Sequence, residues 1–169
     1  MKKLFCMLLL SLTLGLSGMA GATSFSDLGE NKVIDAVLRG QAIGTPATWY
    51  IALYTDTCSD SAGGTEVSTS GTAYARQAVA ASLANWAGTQ SAGSTTASSG
   101  TGGTSSNNNA ITWSVSTASW GNVQSVGWTD ASTAGNRWIC INLTSAINVS
   151  AAGFTVSFPA GTLQFQIDN

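Results

Sequence analysis

The chain lacks histidine entirely, and charged residues make up only 8% of its 169 positions. Without histidine it has no Ser-His-Asp triad, no imidazole general base and none of the commonest metal ligand. It also has no basic cluster, which argues against nucleic-acid binding by phosphate neutralisation. Two carboxylates could still serve a glycosidase, but the acidic residues fall in a helix and in turns, as solvated side chains do. We therefore predict a non-enzymatic protein with no catalytic residue, metal or cofactor.

Two of the few charges, Glu66 and Arg76, lie close together in the sequence. We predict that they form a structural ion pair between neighbouring strands, because the planar fork of an arginine can fix strand register when the pair is partly buried. Asp56, Asp60 and Glu66 also offer the oxygen ligands that calcium prefers, but their spacing differs from an EF-hand loop. Ordinary polar turns are the favoured interpretation of these acids.

Residues 1–22 have the layout of a secretory signal: Lys2 and Lys3, an apolar run from Leu4 to Leu16, and small residues from Ala20 to Ala22. The apolar run is short for a membrane span. If the segment is cleaved, the protein is exported to the periplasm or the medium. An uncleaved anchor, or a segment packed within an assembly, is the alternative.

Two cysteines, Cys58 and Cys140, follow the signal-like segment. A pair of cysteines in an exported chain favours one disulfide, with two free thiols as the alternative. The bond would close a loop of roughly 80 residues, for which the chain-entropy model gives about 4 kcal/mol of stabilisation.

One helix is predicted, from Ser24 to Gly40. Ser26 is suited to cap its start, and Gly40 to end it. Between them, apolar residues recur at helical spacing and create one apolar face. We expect this face to dock against a sheet or a neighbouring subunit, and we assign residues 23–47 to the helix and its linker.

Residues 48–169 are predicted to form a mainly β domain, an antiparallel sandwich of about seven or eight strands of jelly-roll or immunoglobulin-like type. A closed barrel is the competing architecture. Alternation and branched residues predict strands at 48–55, 65–68, 73–85, 110–115, 122–129, 137–143, 146–149, 153–158 and 162–167. The first of these is apolar on both faces, which is typical of a central strand covered on both sides.

Residues 87–109 form a low-complexity stretch of small and polar residues without any charge. Such a composition cannot bury a core, so a long loop is predicted, either a surface insertion or a contact loop. The six tryptophans mostly coincide with apolar strand positions and are expected in the core or in a subunit interface. Trp120 and Trp128 are the candidates for an exposed platform that binds a sugar, such as a host surface glycan.

The chain also resembles a family of small phage virion proteins, labelled tail-fibre or capsid-decoration proteins of phages and prophages. The resemblance rests on the order of short motifs rather than on any one of them. These motifs are Glu30-Asn31, Leu38 to Gln41, Thr48 to Thr55, Gly63 to Val67, Tyr74 to Arg76, Ala118 to Val123, Gly135-Asn136 and Phe158 to Leu163.

The resemblance implies a non-enzymatic β-sandwich on the outside of a virion, in contact with other virion proteins and with copies of itself as a homo-oligomer. The signal-like start departs from it, because phage particles assemble in the cytoplasm. An exported module that binds carbohydrate or another surface is therefore the alternative function.

Overall fold

A computed structural model describes residues 23–61, 64–89, 93, 96–99 and 102–167. The signal predicted at residues 1–22 lies outside this part. Within these residues, one helix and nine strands follow in order: β1 (Thr23–Phe25), α1 (Asp27–Arg39), β2 (Thr48–Tyr54), β3 (Gln77–Ala80), β4 (Thr104–Ser106), β5 (Ile111–Thr112), β6 (Gly121–Thr129), β7 (Arg137–Val149), β8 (Ser157–Phe158) and β9 (Gln164–Gln166). The prediction of a mainly β chain with antiparallel strands and one helix is confirmed.

The main sheet has five strands in the order β1-β7-β6-β2-β3, and every pairing in it is antiparallel. Two smaller antiparallel pairs, β4-β9 and β5-β8, complete a sandwich-like arrangement. Because β1 pairs with β7, the predicted helical segment and the predicted β domain share one sheet. The division between residues 47 and 48 stays a prediction.

The core joins the main sheet to the smaller pairs. Its largest fully buried side chains include Trp113, Phe158, Ile51, Leu53 and Leu163. The rings of Trp113 and Phe158 meet edge to face, with centroids 5.8 Å apart. In β2 the residues from Ile51 to Tyr54 are all buried, which confirms the prediction of a central strand covered on both sides.

The pairing of β6 with β7 contains an irregularity that the alternation of the sequence does not reveal. Val123 pairs with Ile147, but Ser125 pairs with Asn142, so β7 contributes extra residues between these two pairs. Such bulges shift which side chains share a face. Val123 therefore joins Val126 in the same core cluster, although simple alternation places them on opposite faces.

The predicted helix forms for local reasons, but its start differs: Ser24 and Phe25 belong to β1, and α1 begins at Asp27. The Ser26 hydroxyl accepts a hydrogen bond from Gly29 N, and Gly40 ends the helix in the left-handed region with φ 67°. Gly29 is buried, and a Cβ there would lie 2.6 Å from the Trp138 carbonyl oxygen, so only glycine permits this close approach to β7. The opposite side of α1 is solvent-exposed.

Several predicted strands differ from the structure. The strands predicted at 110–115 and 153–158 shorten to Ile111–Thr112 and Ser157–Phe158, and those at 137–143 and 146–149 are one strand, β7. Residues 65–68 form only an isolated bridge, between Tyr54 and Glu66, rather than a strand. The strand predicted over 73–85 shortens to Gln77–Ala80, because Ala73 adopts φ 57° and residues 81–85 turn. Positive φ at Ala73 interrupts an extended chain.

The loop prediction for residues 87–109 is wrong at its C-terminal end, where Thr104–Ser106 forms β4 and pairs with β9. Asn107 is 1% exposed, and its side-chain amide donates to the carbonyl oxygens of Phe158 and Pro159, at 3.2 and 2.8 Å. Its Oδ1 accepts from Leu163 N at 2.8 Å. The buried amide of Asn107 thus attaches this segment, which has no large apolar side chain, to the chain between Phe158 and Leu163.

Candidate functional site

The predicted ion pair lies in a partly buried hydrogen-bond network. Arg76 Nε donates to Glu66 Oε1 at 2.8 Å and Arg76 Nη2 to Glu66 Oε2 at 2.7 Å, which is a bidentate geometry. The side chains of Arg76 and Glu66 are 9% and 26% exposed. Arg76 Nη1 also donates to Thr129 Oγ1 and to the carbonyl oxygens of Ala131 and Ala134. One guanidinium thereby joins residue 66, the end of β6 and the turn that follows it.

Tyr74 extends this network into the main sheet. Its hydroxyl donates to Glu66 Oε1 at 2.9 Å and accepts from Leu53 N at 2.8 Å. Burial raises the pKa of Tyr74 above its ordinary value, with a further rise from the Glu66 carboxylate. Hydrogen bonding to Glu66 raises the pKa of Arg76, against the opposing effect of burial. The network therefore holds a neutral phenol and a charged arginine.

The turn after β6 is closed by Asp130. Its carboxylate accepts from Asn136 N at 2.7 Å, from Asn136 Nδ2 at 3.0 Å and from Trp138 Nε1 at 3.3 Å. Burial alone would raise the pKa of Asp130, but these hydrogen bonds outweigh it and the pKa is lowered. The hydrogen bonds of the Asp130 carboxylate thus all lie within this turn and to the nearby Trp138.

The two predicted disulfide partners are bonded in the structure. Cys58 Sγ and Cys140 Sγ lie 2.14 Å apart, and the Cα atoms are 6.1 Å apart. The bond attaches the segment after β2 to the first part of β7. Asn142 supports the same attachment, because its Oδ1 accepts from Cys58 N at 2.7 Å.

The acidic residues considered for calcium do not gather. Both carboxylate oxygens of Asp56 accept from Thr65 N, and Asp60 Oδ1 accepts from Ser61 N. Within the described ranges, no group of three or more metal-ligating side chains comes together. Over the same ranges, no helix is long and apolar enough to cross a membrane.

Trp120 and Trp128, the two rings predicted as a sugar platform, are core residues that are 4% and 3% exposed. The ring of Trp120 packs edge to face on Tyr74, and its Nε1 donates to the Thr72 carbonyl oxygen at 2.8 Å. The prediction of an exposed platform at these positions needs correction, because both indoles are covered by the core.

Trp128 nevertheless reaches a cleft at the surface, which we call the aromatic cleft. The cleft has a volume of about 140 Å³ and is lined by Trp49, Trp86, Ser105, Trp128, Ile139, Leu163 and Phe165. Trp86 and Trp128 have ring centroids 5.9 Å apart. Trp49 and Trp86 are only partly buried, whereas Leu163 is fully buried at 0% exposure. The cleft thus combines aromatic walls with an aliphatic contribution from the core.

Polar groups are few in the aromatic cleft. No charged side chain of the described residues lines it, and Ser105 Oγ already donates to the Ala87 carbonyl oxygen at 2.8 Å. Trp86 Nε1 is buried and has no hydrogen-bond partner among the residues the structure describes. An unpaired buried donor is costly, so this indole N–H lowers the stability of the subunit.

A second open surface lies on α1, and we call it the outer stripe. It consists of Ile34, Val37 and Leu38, which are 50%, 74% and 78% exposed. Spacings of three and four residues place them on one helix face. Asp35 and Arg39 form an ion pair beside it, with Oδ1 and Nη1 3.1 Å apart.

The sequence pattern did not indicate Trp49, Trp86 or Phe165 as cleft residues, or Asn107 as a buried anchor. Trp86 and Phe165 lie almost 80 residues apart. Trp86 forms a bridge with Asn107 at the end of β4, and β4 pairs with β9, which contains Phe165. The low-complexity sequence around Asn107 carried no apolar signal. No local pattern could have indicated these positions.

Comparison with known families finds one match over most of the chain. A family model described as "Podophage GP4 fiber I protein gp80" matches residues 24–166. The matched range includes α1, all the strands from β2 to β9, the aromatic cleft and the ion-pair network. No curated protein shows a significant match.

Proposed function

This chain belongs to the podophage GP4 fiber I protein gp80 family, and on that premise we propose that it is a fibre subunit which assembles with further copies of itself. Membership in a phage fibre family makes it a phage structural protein of the virion. The family description names a fibre, which favours a fibre role over capsid decoration. We take the protein to be non-enzymatic, as the absence of histidine predicts.

The outer stripe of α1 is the observation that carries the assembly proposal. Three large aliphatic side chains on one helix face are at least half exposed. Soluble monomers rarely keep apolar residues clustered in this way unless the cluster is a contact surface. The other side of α1 is used inside the subunit, where Gly29 approaches β7. A subunit contact would remove the outer stripe from water.

The ion-pair network has a different proposed role, as internal support. All its strong donors and acceptors are directed at one another, and Arg76 is 9% exposed. A recognition site needs groups that are free to bind. We therefore assign Glu66 and Arg76 to holding the chain around β2 and β6 in register.

The glycan-binding alternative has less support at the positions from which it was predicted. Trp120 and Trp128 do not present open ring faces. A sugar would have to use the aromatic cleft, which offers few polar groups for hydroxyl recognition. Export as a free module is a separate expectation that rests on residues 1–22.

Two experiments test the proposal. Mass spectrometry of purified particles from the source phage should detect the protein. Its absence from particles, together with a processed form beginning at Thr23 in the medium, would refute the virion role. The second experiment compares the native chain with Val37→Ser/Leu38→Ser by sedimentation velocity over a range of concentrations.

We expect the native chain to associate and the double variant to stay monomeric. Val115→Ser is the matched control, because Val115 is 55% exposed and lies outside α1. At concentrations where the native chain is monomeric, all three proteins should unfold at the same temperature. If the native and double-variant chains associate equally, α1 is not part of the subunit interface.

A further inference from the structure

The two bonded cysteines lie in unequal surroundings. Cys140 is 1% exposed, in a part of β7 that pairs with β1 on one side and with β6 on the other. Cys58 is only partly buried and lies outside the strands, in the segment that follows β2. The sheet therefore fixes the position of Cys140, and the disulfide depends on what holds the segment of Cys58 beside it.

Hydrogen bonds hold this segment against the sheet independently of the disulfide. Cys58 N donates to Asn142 Oδ1 on β7 at 2.7 Å. Ser125 Oγ on β6 donates to the Asp56 carbonyl oxygen, also at 2.7 Å. Neither bond involves a sulfur atom, so both stay available in a chain whose cysteines are reduced.

Two further contacts restrain the same segment on either side of Cys58. Both carboxylate oxygens of Asp56 accept from Thr65 N, which closes the turn after β2. Arg137 Nη2, at the start of β7, donates to the Ser59 carbonyl oxygen at 2.7 Å. The backbone around Cys58 is thus positioned by polar contacts with the main sheet and with its own turn.

The site also accommodates the hydrogen atom of a reduced thiol. Cys58 Sγ lies 3.3 Å from Asn142 Oδ1. A disulfide sulfur carries no hydrogen, so this contact becomes a hydrogen bond only when Cys58 is a thiol. Reduced Cys140 would be a buried thiol, and a free cysteine packs in a core as a small apolar side chain. Neither reduced side chain requires the fold to open.

We propose that the chain folds with Cys58 and Cys140 as thiols, and that the bond closes afterwards as a redox-dependent lock on the finished fold. This inference goes beyond the proposed function, which concerns assembly. The cytoplasm keeps thiols reduced, whereas the cell exterior is oxidising. A virion protein passes from the first environment to the second, so the lock closes once particles leave the cell.

The closing reaction uses a small-molecule disulfide, such as oxidised glutathione, as the oxidant. The thiolate of Cys58, the more accessible cysteine, attacks it, which forms a mixed disulfide and releases one glutathione. The Cys140 thiolate then attacks the Cys58 sulfur and releases the second glutathione. Two protein thiols are oxidised to one disulfide, the oxidant is reduced to two thiols, and the two protons end on the released glutathione molecules.

The test compares closure of the bond in the folded and in the unfolded chain. The reduced native chain is equilibrated with a fixed mixture of reduced and oxidised glutathione, in native buffer and in concentrated urea. Remaining thiols are trapped with a maleimide of high mass and counted by gel shift. We expect the ratio of bonded to reduced chain to be about 10³-fold higher in native buffer. Circular dichroism should show that the reduced chain is folded before the oxidant is added.

A pair of serine variants tests the role of the hydrogen bonds. Ser125→Ala removes the bond to the Asp56 carbonyl and leaves both cysteines in place, so the closure ratio should fall by about threefold to tenfold. Ser105→Ala is the matched control, because its hydroxyl makes the same kind of bond to the Ala87 carbonyl, and it should leave the ratio unchanged. A reduced chain that is unfolded, or equal ratios in buffer and urea, would overturn the proposal.

The timing is measured in cells that produce particles. Rapid alkylation should trap both thiols in the chain inside the cells, whereas the chain in released particles should be bonded. A bond already closed in the cytoplasm would overturn the lock. Absence of the protein from particles would refute the proposed function, and the closure ratios would still decide whether folding precedes the bond.

Discussion

The ion-pair network and the aromatic cleft differ in how completely their groups are satisfied. In the network, Arg76 donates to five acceptors and Tyr74 bridges Glu66 and Leu53. In the cleft, aromatic rings remain partly open and Trp86 Nε1 has no partner in the described part of the chain. A region whose groups are all paired stabilises its own subunit, whereas an unpaired buried donor lowers the stability of the subunit.

The largest effect on stability is expected from the disulfide, which, like the ion-pair network, supports the subunit from within. Replacing Cys58 and Cys140 together by serine opens a link between residues 82 apart in sequence. We expect the free energy of unfolding to fall by about 4 kcal/mol, since the unfolded chain gains freedom. Urea titration measures this. Adding a reductant should lower the stability of the native chain and leave the double variant unchanged; the opposite pattern would contradict the prediction.

The next effect distinguishes the buried ion pair from an exposed one. Arg76→Met should cost about 3 kcal/mol, because it leaves the Glu66 carboxylate partly buried without its partner. Arg39→Met is the matched control, since the Arg39 side chain is 71% exposed in its pair with Asp35. It should change stability by less than about 0.5 kcal/mol. Equal losses in the two variants would show that the network gives no special support.

Two tryptophans sharpen the comparison further. Trp120→Phe shortens a buried ring and removes the indole hydrogen bond to the Thr72 carbonyl oxygen, which keeps only its bond from Thr117 N, so we expect a loss of about 2 kcal/mol. Trp86→Phe removes an N–H that has no partner among the described residues, so it should cost about 1 kcal/mol or less. Both are measured by urea unfolding of monomeric protein. A greater loss at Trp86 would mean that its indole is already satisfied inside the subunit.

The smallest effect concerns alkaline pH. The raised pKa of Tyr74 means that the unfolded chain loses this proton at lower pH than the folded chain. The corresponding stability is therefore present below about pH 10 and is lost as the pH rises above it. Tyr74→Phe should cost about 1 kcal/mol at pH 8 through the lost bond to Leu53 N.

Between pH 9 and pH 11 the Tyr74→Phe variant should then lose less stability than the native chain. Some decline will remain, because burial also raises the pKa of Tyr54. Urea midpoints at several pH values provide the measurement. Parallel declines in the two proteins would show that the Tyr74 phenol is not the group responsible.

Local signals accounted for much of the fold. The caps at Ser26 and Gly40 and the apolar spacing between them predict α1 within a few residues of its observed ends. The apolar, branched composition of β2 likewise predicts a covered central strand. These features depend on contacts between near neighbours in the chain, and such contacts can be read from a single segment.

Contacts between residues that are distant in the sequence were harder to predict. The Glu66–Arg76 pair could be proposed because charges are scarce, and a disulfide because two cysteines follow a signal-like segment. The residues of the aromatic cleft gave no comparable indication. An apolar strand position predicts burial, but it does not say whether a ring is covered, as Trp120 is, or left partly open, as Trp49 and Trp86 are.

The sequence by itself determined the mainly β character, the single capped helix, the central strand β2 and the low charge of the surface. These follow from side-chain periodicity and from local hydrogen bonding at helix ends. The tertiary structure alone decided the shifted register of β6 on β7, the burial of Asn107 and the assembly of the aromatic cleft. Each of these depends on which distant strands pair and in what register, and that is decided by packing of the whole core rather than by any one segment.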